Sequence, residues 1–252
     1  MTTNQPKPIL QMRGISKEFG HVQALDQVDF TVMPGEVLAL VGDNGAGKST
    51  LIKIASGVYQ PDAGAIYIDD NPVHFANPHV ARDHGIATVY QDLALADDRD
   101  VASNLFLGRE PTRFFMVDKS RMNREARQVL NRLRSTIPSV TTRVGLLSGG
   151  QRQAVAIGRA MLQGGRIFIL DEPTAALGVR ESANVLRLIA EVRDQGSAVV
   201  IISHNLTHVF SIADRISVMR RGRHVGTRSK TLSTPDEIVA LITGAGEVGS
   251  EG

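Results

Sequence analysis

The feature that most constrains this chain is the apolar run Val37-Leu38-Ala39-Leu40-Val41 passing directly into Gly42-Asp43-Asn44-Gly45-Ala46-Gly47-Lys48-Ser49. A short continuous apolar run reads as a buried strand, and the stretch from Ser49 to Ser56 reads as a helix. Between them, four fixed positions fit the phosphate-cradling pattern GxxxxGK(S/T). Gly42, Gly45 and Gly47 allow the backbone to curl and aim several N–H groups inward, and the helix N-terminus adds partial positive charge. Lys48 is placed to reach the β- and γ-phosphates of a nucleotide and Ser49 to offer its hydroxyl to Mg²⁺. Thr50 serves either the helix or the α-phosphate. A nucleoside triphosphate site is therefore expected.

The order of the remaining elements suits such a loop. Leu10–Ile15 and Val28–Val32 read as antiparallel strands turning at Gly20-His21, and Phe19 beside that turn is either core or a platform for a base. Ala65–Ile68 and Gly85–Tyr90 are further strand candidates, the second running into Gln91. Arg166–Leu170, Ala198–Ile202 and Arg215–Met219 alternate with helical stretches Gln151–Met161, Arg180–Arg193 and Leu206–Ala213, which predicts an α/β fold around a doubly wound parallel sheet. Arg221-Gly222 turns a last hairpin and Pro235–Ile242 makes a short helix. Residues 1–244 are expected to form one domain, with a helical insertion at about 93–147 and a frayed tail at 245–252. The basic series from Arg109 to Arg134 in the insertion reads as a solvated helix face rather than a nucleic-acid or lipid surface, since no long apolar face accompanies those charges.

Composition narrows the partners. Lys and Arg number 28 against 26 Asp and Glu, a net charge of +2, which gives no reason to expect nucleic acid. With no cysteine, disulfides and thiolate chemistry are excluded, in keeping with the cytosol. No apolar run approaches the ~20 residues that span a bilayer, so the chain is expected not to enter a membrane by itself.

Three further clusters carry chemistry. The strand Ile167–Leu170 ends in Asp171 and Glu172, the first suited to hold Mg²⁺ through water and the second to act as general base on an attacking water. Leu147-Ser148-Gly149-Gly150-Gln151 opens a helix with a second anion-binding N-terminus. Ser203-His204 ends another strand, at the same sheet edge as Asp171 and Glu172. A lone histidine there has an ordinary structural reading, but together with Gln91 it completes a polar set around a γ-phosphate.

This conjunction resembles the ATP-binding subunits of ATP-binding-cassette (ABC) transporters, from Leu10 to Thr243. By that resemblance the loop with Gly42, Asn44, Gly45, Gly47, Lys48, Ser49 and Thr50 is the Walker A loop, and Gln91 is the Q-loop glutamine. Ser148, Gly149, Gly150 and Gln151 belong to the LSGGQ signature, Ile167–Glu172 is the Walker B strand, and His204 is the switch histidine. Phe19 takes the adenine-stacking position, where the family more often has Tyr. The resemblance implies Mg²⁺ among Ser49, Gln91 and Asp171, with Glu172, His204 and Gln91 serving hydrolysis. It implies a head-to-tail homodimer in which ATP lies between one Walker A loop and the partner subunit's signature helix. Thr88–Glu110 resembles more narrowly the ATPases of monosaccharide importers of the ribose, xylose and fructose type. That implies membrane permease subunits and, indirectly, a periplasmic or extracellular sugar-binding protein, with the chain on the cytoplasmic face of the membrane. The insertion at 93–147 is expected to hold the permease contact, with charge or bulk around Asn104–Phe106 expected to uncouple uptake from hydrolysis. One departure stands out: after Walker B the family commonly has SALD, whereas this chain has Ala175-Ala176-Leu177-Gly178 and lacks the loop carboxylate.

Overall fold

The structure is a computed structural model, and it describes residues 7–245. The tail expected over 245–252 lies, apart from Ala245, outside the described residues, as do the first six residues. The chain opens with β1 (Leu10–Phe19) and β2 (Val22–Val32), longer than the periodicity suggested and joined where Gly20 adopts a φ of 61°. Then come β3 (Val37–Val41), buried at every position, and α1 (Lys48–Ala55). The next elements are β4 (Ala63–Ile68), β5 (Asn71–Val73), α2 (Pro78–Asp83) and β6 (Ile86–Val89). An arm follows with α3 (Val101–Leu105), β7 (Thr112–Arg113), β8 (Met116–Val117) and α4 (Lys119–Arg132). The chain returns through α5 (Gly149–Leu162), β9 (Ile167–Asp171), α6 (Val179–Asp194) and β10 (Ala198–Ile202). It closes with α7 (Leu206–Ile212), β11 (Arg215–Arg220), β12 (Arg223–Ser229) and α8 (Pro235–Thr243).

Six strands form the central sheet in the order β12-β11-β3-β10-β9-β6, parallel except for β12. Because β3, β9 and β10 lie in its middle with apolar layers on both faces, their residues are apolar without alternation. The register sets Ile202 beside Asp171 and beside Leu40, so three strand ends finish at one edge. A second, antiparallel sheet (β2-β1-β4-β5) supplies the other part of the core. The expected α/β architecture is present.

The arm differs from expectation in two ways. It is not wholly helical, since β7 and β8 form a hairpin turning on Phe114 and Phe115. Its apolar cluster also extends beyond 147, because Val155 of α5 packs with Val101, Leu105, Met122 and Leu130. Asn104 and Phe106 are corrected as a docking point. Asn104 is fully buried, its amide donating to the carbonyls of Ala96 (3.0 Å) and Asp100 (3.0 Å) and accepting from the Ala96 N–H (2.7 Å). Phe106 is buried too, and Leu107 is the apolar side chain that reaches the surface. An amide surrounded by backbone partners is a structural brace, which polarity in the sequence cannot distinguish from a contact residue.

Candidate functional site

The loop between β3 and α1 has the conformation its glycines allow. Gly42, Gly45 and Gly47 have φ of 150°, 81° and 97°. A Cβ at Gly47 would lie 2.7 Å from the Ala24 carbonyl oxygen, and one at Gly42 would strike that of Met219, so neither position tolerates a side chain. The turn at Gly222 braces this floor, its N–H donating to the Ala46 carbonyl at 3.1 Å. α1 has no side-chain cap and no acidic residue in its first turn, whereas Asn77, Asp100, Asp118, Ser148, Asn205 and Thr234 cap six other helices. Its leading N–H groups are thereby left for an anion. Lys48 folds across the loop, donating to the carbonyls of Gly42 (2.7 Å) and Asp43 (2.9 Å). Burial lowers its pKa, opposed by the carboxylates of Glu172, Asp43 and Asp171, which places those acids near the ammonium. Asn44 and Ser49 are exposed and Thr50 half-buried.

Across from the loop, Asp171 ends β9 and Glu172 follows at a φ of 48°, a conformation that bulky L-residues avoid. Its backbone is held there by donation of its N–H to Ile202 O at 3.0 Å. Burial, and then the Glu172 charge, push the Asp171 pKa upward, with Lys48 and Lys53 opposing. His204 donates from Nδ1 to Glu172 Oε1 at 2.9 Å, and its ring is otherwise largely exposed. The structure thus brings together Lys48, Asp171, Glu172 and His204. Gln91 stands exposed just beyond β6, at the outer strand of the same sheet edge. Among the described residues no group of three or more His, Asp or Glu side chains could hold a metal. With Asp171 and Ser49 as donors, a small divalent cation would need phosphate oxygens to complete its shell, which fits the chemistry of Mg²⁺ with a nucleotide.

The other predicted residues lie apart from this cluster. Phe19, 42% exposed, meets Tyr59 edge-on with ring centroids 5.2 Å apart and has Lys17 Nζ 5.6 Å from its ring centre. Ser148 begins α5, where its hydroxyl accepts from the Gln151 N–H (3.4 Å) and the Gln151 side chain accepts from the Ser148 N–H (3.0 Å). Gln151 therefore closes its own helix terminus. Gly149 packs against Leu177, whose terminal methyl would have to move to admit a Cβ there.

Sequence reasoning overlooked Arg159. From near the C-terminal end of α5 its guanidinium donates to the carbonyls of Leu93 (2.7 Å) and Ala94 (2.9 Å), so it grips the segment shortly after Gln91. Burial lowers its pKa. Arg152, two turns earlier, pairs with Asp97 of the same segment. No motif marks these arginines, because most of their partners are backbone oxygens.

Residues 25–175 match the family described as ABC transporter. The chain belongs to the ABC transporter family. It is an ABC-type ATPase and therefore binds nucleotide. The cassette is 47% identical to the fructose import ATP-binding protein of Rhizobium meliloti, over 96% of each chain. It is 44% identical to the xylose/arabinose import ATP-binding protein of Sulfolobus acidocaldarius, over 93% of this chain and 94% of that one. Identity to a ribose import ATP-binding protein of Rubrobacter xylanophilus is 46% over 94% of this cassette, but that spans only 47% of the relative. Among solved structures, a nucleotide-free ATP-binding cassette of an ABC transporter superposes with a TM-score of 0.82 at 27% identity, covering 93% of this chain and 98% of that one. The ADP conformation of another cassette gives 0.81 at 27% identity, covering 94% and 95%.

Proposed function

We propose that this cassette hydrolyses ATP at the cytoplasmic face of the cell membrane to energise uptake of a monosaccharide through separate permease subunits. The observation that carries the sugar assignment is the similarity, along almost the full length of both chains, to proteins named for fructose and for xylose/arabinose import.

In this reading Phe19 stacks on adenine, while the backbone of Gly42, Asn44, Gly45 and Gly47, with Ser49 and Thr50, wraps the phosphates. Lys48 leaves the Gly42 and Asp43 carbonyls to meet the β- and γ-phosphates, exchanging two neutral acceptors for charged ones. Ser49, Gln91 and Asp171 would hold Mg²⁺ together with the nucleotide, and the ion would supply neutralisation of charge on the phosphate oxygens. Glu172 accepts the proton of the attacking water, and the His204 hydrogen bond fixes which carboxylate oxygen faces it. Ser148, Gly149, Gly150 and Gln151 complete the site of the partner subunit, so the working unit is a head-to-tail homodimer.

The permease is received in the cleft of about 260 Å³ lined by Arg82, Tyr90, Leu107, Arg159 and Gln163, where the arm meets the central sheet. Tyr90 precedes Gln91 directly, so a body seated there feels any movement of the phosphate sensor. The test is reconstitution of the chain with its permease and sugar-binding protein in proteoliposomes. ATP turnover is expected to rise when the binding protein carries one pentose or hexose, and to be lost with Lys48→Ala. Stimulation by an amino acid or peptide and by no sugar would overturn the reading.

A further inference from the structure

The hairpin of β7 and β8 has no role in the site described above, and its composition is unusual. Phe114 and Phe115 occupy the two turn positions with φ of 49° and 66°, where hairpins ordinarily use Asn and Gly. Phe115 is fully exposed and Phe114 81% exposed, followed by exposed Met116 and Val117. Four successive apolar side chains thus stand exposed along the hairpin, the two at its turn in a backbone conformation that aromatic residues avoid. The hairpin is pinned at its base by the Asp118 N–H donating to Pro111 O at 2.7 Å, so the tip is presented by a fixed stem.

The surroundings are basic. Residues 109–127 hold Arg109, Arg113, Lys119, Arg121, Arg124 and Arg127 against three acids. Each acid already has a partner: Glu110 accepts from the Gly108 N–H, Asp118 caps α4, and Glu125 pairs with Arg121 at 2.6 Å. The Arg113 guanidinium lies 5.5 Å from the centre of the Phe114 ring. Asn123 lines both the hollow beneath Val117 and Lys119 and the polar face carrying Arg124 and Arg127, so apolar tip and basic face adjoin. The series expected to be a plain solvated face therefore flanks exposed aromatics.

We propose that the Phe114-Phe115 tip inserts into the headgroup layer of an anionic lipid membrane, with Arg113 and the exposed basic face of α4 meeting lipid phosphates. Two features select lipid. The tip is a run of exposed apolar side chains with Phe115 fully open to solvent, and exposed rings flanked by arginines and a lysine that, Arg121 apart, have no acid partner among the described residues are the composition that binds the interface of acidic bilayers. The placement also agrees, because Leu107 lines both the cleft assigned to the permease and the hollow beneath the hairpin. A cassette docked through that cleft holds the hairpin near the bilayer. The proposal rests on that docking reading for its biological setting.

The experiment is sedimentation of the whole chain with vesicles of phosphatidylcholine containing about one third phosphatidylglycerol, against phosphatidylcholine alone. The parent is expected to bind the anionic vesicles, less so in high salt, and not the neutral ones. The variant Phe114→Asn/Phe115→Gly suits the turn better than the parent residues, so folding is preserved. It should lose about tenfold in vesicle binding, from the apolar area withdrawn, with thermal stability undiminished and basal ATP hydrolysis unchanged. Failure of the parent to bind anionic vesicles, or equal binding by the variant, would overturn the proposal. So would a variant that keeps vesicle binding but no longer captures detergent-solubilised permease, which would make the tip a protein contact. Absence of ATP turnover in the parent would instead count against the import reading.

Discussion

Replacing Gly178 by aspartate tests how far the missing loop carboxylate matters. Gly178 is the residue before α6, with φ −67° and ψ 165°, an extended conformation open to any amino acid. A Cβ added there meets nothing within 4 Å. Its N–H donates to Glu181 Oε2 at 3.4 Å, and its carbonyl accepts the first helical bond from the Ser182 N–H at 2.9 Å. An aspartate would accept from the free N–H groups of the first turn, place negative charge at the positive end of the helix and stiffen the unfolded chain. The nearby Glu181 carboxylate offsets part of this. Gly178→Asp should therefore stabilise the fold by about 1 kcal/mol. For a chain of this size that is a rise in Tm of about 2–4 °C, read by calorimetry. Restoring a polar group at the expected dimer face should also strengthen ATP-dependent dimerisation in the Glu172→Gln background, measured by analytical ultracentrifugation. A fall in Tm would refute the capping argument. A higher Tm with an unchanged dimer constant would refute the idea that the glycine weakens association.

Glu172→Gln should keep ATP binding and abolish turnover, because the amide preserves the carbonyl acceptor facing His204 but cannot take a proton; parent-rate hydrolysis would remove Glu172 from its role. Asn104→Asp should cost about 3 kcal/mol or more by turning a carboxylate toward the Ala96 and Asp100 carbonyls, visible as a large drop in Tm, whereas Leu107→Glu should leave Tm alone and uncouple sugar uptake from hydrolysis. Asp171→Asn should raise the stability of the nucleotide-free chain near neutrality. The folded pKa of Asp171 lies above its ordinary 3.8, so the unfolded chain releases the proton first and stability falls as pH rises through the folded value. Denaturant unfolding in acid and near neutrality checks it; an asparagine variant less stable than the parent near neutrality would contradict the sign.

The phosphate loop was legible because its glycines are enforced locally, by φ and by the closeness of the Ala24 and Met219 carbonyls. The central strands were legible because burial on both faces leaves a continuous apolar run. The contact of His204 with Glu172 could only be inferred as a shared edge, since register across β9 and β10 decides whether residues 32 apart in sequence meet. The β7–β8 hairpin was hidden by its own turn, where two phenylalanines occupy positions that the usual signals assign to Asn and Gly. Asn104 misled because a polar residue has the same appearance in sequence whether its partners are solvent, protein or backbone. Arg159 was silent for a related reason: a guanidinium satisfied by carbonyl oxygens leaves no complementary residue type to find.

That arginine gives α5 a second office. The helix is 14 residues long, about 21 Å from end to end, and begins at Ser148, while Arg159 near its far end holds the chain just past Gln91. In the head-to-tail dimer proposed above, one terminus of this rod would touch the nucleotide of the neighbouring subunit while the other end grips the segment after Gln91 in its own. Each ATP would then be reported to the opposite half of the assembly by a strut rather than by diffusion of strain through the core, and two such struts crossing the dimer would make it respond as one reciprocating body.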